Sequence, residues 1–75
     1  MKKVKLTQQP YIDKILREER WRHVYRAAAE DSEGNIYDVC WTITNRHADE
    51  ESDACDWEEY YAYNEYGHLV LVEVE

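Results

Sequence analysis

Two segments of this chain, 33 residues apart, carry the same punctuation. The first runs from Ala29 to Val39 and the second from Ala62 to Val72. In each, Asp31 or Asn64 is followed three residues later by Gly34 or Gly67. A polar residue, an aliphatic residue and a valine then recur in step. Asp and Asn side chains bond their own backbone, and Gly supplies a left-handed residue without steric cost. Together these make a short hairpin loop with a type I turn and a G1 bulge. Asp31–Gly34 and Asn64–Gly67 are therefore expected to be hairpin turns. Two copies are too few for a solenoid, and convergent turn chemistry accounts for the echo as well as duplication does.

Strands should flank each turn. Period-two alternation marks Trp21–Glu30 and Asn35–Thr44 around the first, and Trp57–Tyr63 and His68–Glu75 around the second. Tyr25, Ala27, Ala29, Tyr37, Val39, Trp41 and Ile43 fall on one face. The offset adds Tyr60, Ala62, Val70, Val72 and Val74, and this set reads as the core. The opposite face of the second hairpin carries Tyr61, Tyr63, Leu69 and Leu71, too apolar to lie in water as one patch.

Val4 and Leu6 alternate with lysines, as in a short edge strand blunted by charge. Pro10 then stands where a helix can begin. Ile12, Ile15, Leu16 and Glu19 follow helical spacing, with Asp13 near the start and Arg17 and Arg20 near the end, which complements a helix dipole. Residues 10–20 are read as a helix, with a further strand pair as the competing reading. The expected fold is α+β: one domain over residues 1–75, an antiparallel meander of about four strands with an N-terminal helix packed on a face.

Charge is divided unevenly along the chain. Residues 1–26 hold eight basic and three acidic side chains, whereas residues 27–75 hold fourteen acidic ones and a single basic one, Arg46. The net charge is −8. Phosphate binding wants a basic footprint, so direct nucleic-acid binding is not expected. A basic protein partner suits this surface better, although acidity also keeps a small protein in solution. No run of eighteen apolar residues spans a membrane, and no apolar leader follows Met1-Lys2-Lys3, so a cytoplasmic location is expected. Cys40 and Cys55 are then free thiols.

Catalytic and metal chemistry find little support. Counting from Asp49, a calcium loop needs Gly at the sixth position and Glu at the twelfth, where Ala54 and Tyr60 stand. A weak divalent-cation site in the acidic loop is left open. Cys40, Cys55, His23, His47 and His68 lack the paired spacing of zinc ligands. Cys55 lies among carboxylates, which disfavour a thiolate, and no nucleophile elbow exists. The chain is read as non-enzymatic and without a cofactor.

What remains is an acidic aromatic segment. A ring bordered by carboxylates supplies buried area and a cation–π site for Arg, while the acids steer the encounter. Asp49, Glu50, Glu51, Asp53, Asp56, Trp57, Glu58, Glu59, Tyr61 and Tyr63 are the expected partner-binding residues. The expected function is an interaction module for a basic protein, with a nucleic-acid mimic that inhibits its target as a specific form. In size and charge the chain resembles small acidic phage proteins that inhibit host defence enzymes, a resemblance of composition alone. The basic N-terminal third departs from a pure mimic. The alternative is an assembly subunit that forms a homodimer through the apolar face of the second hairpin.

Overall fold

The computed structural model describes residues 1–75 apart from the side chain of Glu51. Seven strands follow one another: β1 (Lys2–Leu6), β2 (Tyr11–Arg17), β3 (Arg20–Asp31), β4 (Ile36–Thr42), β5 (Tyr61–Asn64), β6 (Leu69–Val70) and β7 (Val72–Val74). A single 3-10 turn, Glu51–Asp53, lies between β4 and β5. The fold is all-β, and the helix expected over residues 10–20 does not form, so α+β is corrected.

The reason lies in pairing. Tyr11 to Arg17 lie antiparallel to β3 from Arg26 back to Arg20. Ile12, Lys14 and Leu16 thus share one face, and Asp13, Ile15 and Arg17 the other. An isolated helix of that length is marginal in water, and the β-branched Ile12 and Ile15 favour a pleated surface. Pro10 does not start a helix; it lies in the gap between β1 and β2. There Thr7 N bonds Ala28 O, and Gln8 Oε1 accepts from Ala28 N. β1 and β2 therefore run along the same side of β3 as one interrupted strand. The turn joining β2 to β3 consists of Glu18 and Glu19, with φ of 53° and 63°. Positive φ at both residues is the signature of a type I′ hairpin, normally built from Asn and Gly.

The two glycine turns share one geometry. Gly34 N bonds Asp31 O and Gly67 N bonds Asn64 O, at 3.1 and 2.9 Å. Asp31 Oδ1 accepts from Glu33 and Asn35 N–H, and Asn64 Oδ1 accepts from Tyr66 and His68 N–H. Gly34 and Gly67 have φ of 85° and 79°.

Strand order is β6-β5-β4-β3-β1-β7, with β2 also on β3. β1 is an inner strand, not the expected edge: it pairs antiparallel with β3 and parallel with β7. Only Leu71 separates β6 from β7, so one short segment bonds β5 at its start and β1 at its end. That switch curls the sheet into a half-barrel. Its concave face holds the core: Val4, Tyr25, Ala27, Ala29, Tyr37, Val39, Trp41, Ala54, Cys55, Ala62 and Val72. Residues 45–60 return across this face. Tyr60 is inserted there; its hydroxyl donates to Val72 O and accepts from Val74 N–H, at 3.1 and 3.0 Å, and so covers the outer edge of β7. Beyond the half-barrel, the distal parts of β2 and β3 continue as a two-stranded arm.

Candidate functional site

The acidic residues sit where the returning segment crosses the mouth of the half-barrel. Asp49, Glu50, Asp53, Asp56, Glu58 and Glu59 are exposed. The side chain of Glu51 lies outside the described residues. The backbone explains this local shape. Asp53 N bonds Glu50 O, and both Thr44 N and Asn45 N bond Ala54 O. Asp56 Oδ1 accepts from Glu58 N–H while Asp56 O accepts from Glu59 N–H, which starts a tight turn before β5. Ala54 and Cys55 point inward and are buried in the core.

The expected aromatic anchors separate. Trp57 is half-buried, with its ring centroid 5.1 Å from those of both Tyr25 and Trp41. Trp41 Nε1 donates to Trp57 O at 3.0 Å. Trp57 thus caps the core. Tyr61 and Tyr63 lie on the convex face, where the Arg17 guanidinium rests 4.6 Å from the Tyr61 ring centroid. The carboxylates therefore divide: Asp49 and Glu50 line one depression, whereas Asp56, Glu58 and Glu59 line another together with Tyr60 and Tyr61. Every ion pair among the described residues lies elsewhere, from Lys2, Lys5, Arg22 and Arg26. The loop carboxylates from Asp49 to Glu59 that are described have no cation partner within the chain.

Beside them opens a cleft of about 410 Å³ between the arm and the returning segment. Ile12, Tyr25, Ile43, Ala48 and Ala54 give it an apolar floor; Asp49 and Glu50 stand on its rim with His23 and Arg46. Ile12 is 61% exposed. Sequence reasoning missed Ile12 and His23 as neighbours of the acids because a helix over residues 10–20 leaves the cleft without its second wall. The β-branched Ile12 and Ile15 beside Tyr11 keep a strand open as the competing reading, but they do not by themselves decide against the helix.

The convex face has a different chemistry. Arg26 donates to Asp13 at 2.8 Å and to Asp38 at 2.6 Å, tying β2, β3 and β4 together. Its guanidinium is held more firmly charged, above all by the Asp38 bond. Asp13 lies below the usual carboxylate range, first because it accepts from Lys14 N–H and then because of Arg26. Cys40 pairs in register with Arg26 and Tyr61; burial, then Asp38, pushes its thiol up to about 11. A thiol held so far from ionisation is a poor nucleophile. Asp31, at the first glycine turn, is held well below its ordinary value. The Asn35 side chain contributes most, with Asn35 N–H, the Tyr37 hydroxyl and Glu33 N–H adding to it against the cost of burial. Among the described residues no group of three or more His, Cys, Asp or Glu side chains is placed to hold a metal ion. No helix is long and apolar enough to cross a membrane.

No family model, curated protein or solved structure matches the chain significantly.

Proposed function

We propose that this chain is a non-catalytic protein-interaction module that engages a basic protein partner through its acidic returning segment and the adjoining cleft. The observation that carries the reading is the conjunction at the cleft: an apolar floor that includes exposed Ile12, and a rim where Asp49 and Glu50 have no ion pair. A Lys or Arg side chain fits such a place, laying its aliphatic stem on the floor and its charge against the rim. The remaining acids, Asp53, Asp56, Glu58 and Glu59, extend the negative surface and speed encounter with a positive one. Trp57 supports the segment from beneath and does not face the partner.

The test is a pull-down with the tagged protein, eluted in salt steps, beside a variant carrying Asp49→Asn, Glu50→Gln, Glu51→Gln and Asp53→Asn. A basic protein retained by the natural chain, released by salt and lost by the variant is the expected result. The variant should melt as the natural chain does, because Asp49, Glu50 and Asp53 are exposed and form no ion pair. Equal retention by both proteins removes the acidic segment from the interaction. If the captured protein binds nucleic acid and duplex DNA displaces this chain from it, the interaction takes the form of a nucleic-acid mimic.

A further inference from the structure

The half-barrel leaves one long backbone edge open. β6 and β7 are two and three residues long, and the Tyr60 hydroxyl covers β7. β2 spans seven residues and pairs on one side only, with β3. Which groups face outward follows from its turn. Arg17 and Arg20 flank a two-residue turn, so they form a hydrogen-bonded pair, and such pairs alternate along an antiparallel ladder. Arg17, Ile15, Asp13 and Tyr11 spend their backbone groups on β3. Ile12, Lys14 and Leu16 direct theirs outward. Lys14 N–H shows this, since it is taken by its neighbour's side chain, Asp13 Oδ1, at 2.8 Å.

We propose that this edge pairs with the β2 edge of a second copy, antiparallel about a two-fold axis at Ile15. Three observations carry the inference. The first is charge. The protein as a whole is strongly acidic, and two copies repel over most of their surface. Around this edge Lys14, Arg17, Arg20 and Arg22 stand against Asp13, Glu18 and Glu19, so the arm is close to neutral.

The second is register. An axis at Lys14 sets lysine across from lysine, and an axis at Asp13 sets carboxylate across from carboxylate; both are unfavourable. An axis at Ile15 sets Ile15 beside its own copy, Lys14 across from Leu16, and Asp13 across from Arg17, twice by symmetry. Arg17 has no carboxylate partner among the described residues; its guanidinium rests against the Tyr61 ring and would turn toward the seam to meet the opposing Asp13. In this pairing Lys14 N–H passes to the second copy's Leu16 carbonyl. Asp13 Oδ1 is thereby released to meet the opposing Arg17.

The third is the apolar surface of the arm. Ile12, Leu16 and Trp21 are 61%, 62% and 68% exposed on one face, with Leu16 directly opposite Trp21. Two-fold pairing brings the two Leu16 side chains near each other across the new seam, so the patches join and shelter one another. The resulting particle carries its two acidic segments outward, one from each copy.

Analytical ultracentrifugation over a micromolar concentration series tests the proposal. The natural chain should show a dimer. Lys14→Pro removes an outward N–H and no bond to β3, a site where an edge strand accepts proline. It should weaken association on the order of tenfold or more with an unchanged β-type circular dichroism spectrum. Should proline melt the arm, cross-linking decides independently: Ile15→Cys should form a disulfide dimer on oxidation with diamide, and Lys14→Cys or Asp13→Cys should not. The buried Cys40 and Cys55 supply the background. A monomer at every concentration, a dimer that survives Lys14→Pro in a folded arm, or preferential cross-linking at residue 14 or 13 overturns the proposal. So does loss of the dimer on neutralising Asp49, Glu50, Glu51 and Asp53, which would place the contact between arm and acidic segment.

Discussion

β3 passes through both parts of the molecule, and its two halves have different fates. Tyr25, Ala27 and Ala29 point to the concave face of the half-barrel and are 8%, 1% and 0% exposed. Trp21, on the same strand and the same face, is 68% exposed. The difference is not in the strand but in what lies opposite it. In the half-barrel the sheet curls over, and Tyr60, Trp57 and Ala54 come down from the returning segment to close the space. In the arm nothing stands across from Trp21 and Leu16. Alternation tells which side chains share a face; burial depends on a second layer. A two-stranded ribbon without that layer is marginal by itself, so the arm borrows its order from the half-barrel through β3 and the Arg26 ties to Asp13 and Asp38.

The sharpest contrast is between tryptophans. Trp41→Ala should lower unfolding free energy by about 3–5 kcal/mol, the range for emptying a large aromatic site, because Trp41 is 2% exposed and packs, tilted, against Trp57. Trp21→Ala should move it by no more than about 0.5 kcal/mol. Urea titration of both variants at a concentration that keeps the protein monomeric would measure the gap, and equal losses would make the arm part of the core.

Turns give the next largest effects. Gly34→Val and Gly67→Val should each cost about 1–2 kcal/mol or more, the penalty of a left-handed residue that carries a Cβ. Space is not the obstacle: a Cβ at Gly67 meets nothing within 4 Å, and one at Gly34 meets only Glu30 Oε1 at 3.6 Å. Unchanged melting temperatures would remove the glycine turns as supports of the half-barrel. The arm turn should respond in the opposite direction. Replacing Glu18-Glu19 by Asn-Gly relieves two left-handed glutamates and should add about 1 kcal/mol, read most directly as slower hydrogen exchange at the Ile15 and Arg22 amides.

Acid dependence is expected too, and it belongs to the half-barrel. Asp31 accepts from Asn35, Tyr37 and Glu33 and ionises more readily in the fold than at its free value of 3.8. The unfolded chain therefore binds the proton more tightly. The stability Asp31 contributes is complete above the free value and is lost as pH falls below it toward the folded one. Asp31→Asn should flatten the fall of the urea midpoint between about pH 4 and pH 2; an unaltered slope would assign that fall to other carboxylates.

Much of the half-barrel was legible. Asp31, Gly34, Asn64 and Gly67 announce their turns because the chemistry is local, complete within four or five residues. The residues read as one apolar face do line one core. The arm was not legible for a physical reason. Ile12, Ile15 and Leu16 satisfy a helical stripe and also a strand with side chains on both faces, and only pairing with Arg20–Arg26 decides. Long-range closure escaped for the same reason. Nothing near Leu71 states that β6 will leave β5 for β1, or that the Tyr60 hydroxyl will occupy the edge of β7. At the candidate site the acids could be read as solvated from their clustering. The inward turn of Trp57 and the separation of Tyr61 and Tyr63 onto the other face depend on where the returning segment crosses.

The placement of the three tryptophans equips the molecule with its own optical reporters. Trp41 and Trp57, with ring centroids 5.1 Å apart, form a coupled pair of chromophores held in one fixed orientation by the half-barrel. They should dominate the near-ultraviolet dichroism and vanish from it only when that body unfolds. Trp21 is 68% exposed and should therefore emit toward the red and meet a neutral quencher such as acrylamide. Fluorescence collected at two wavelengths therefore follows arm and half-barrel separately in a single unlabelled sample, and covering the arm shifts one emission band while leaving the other in place.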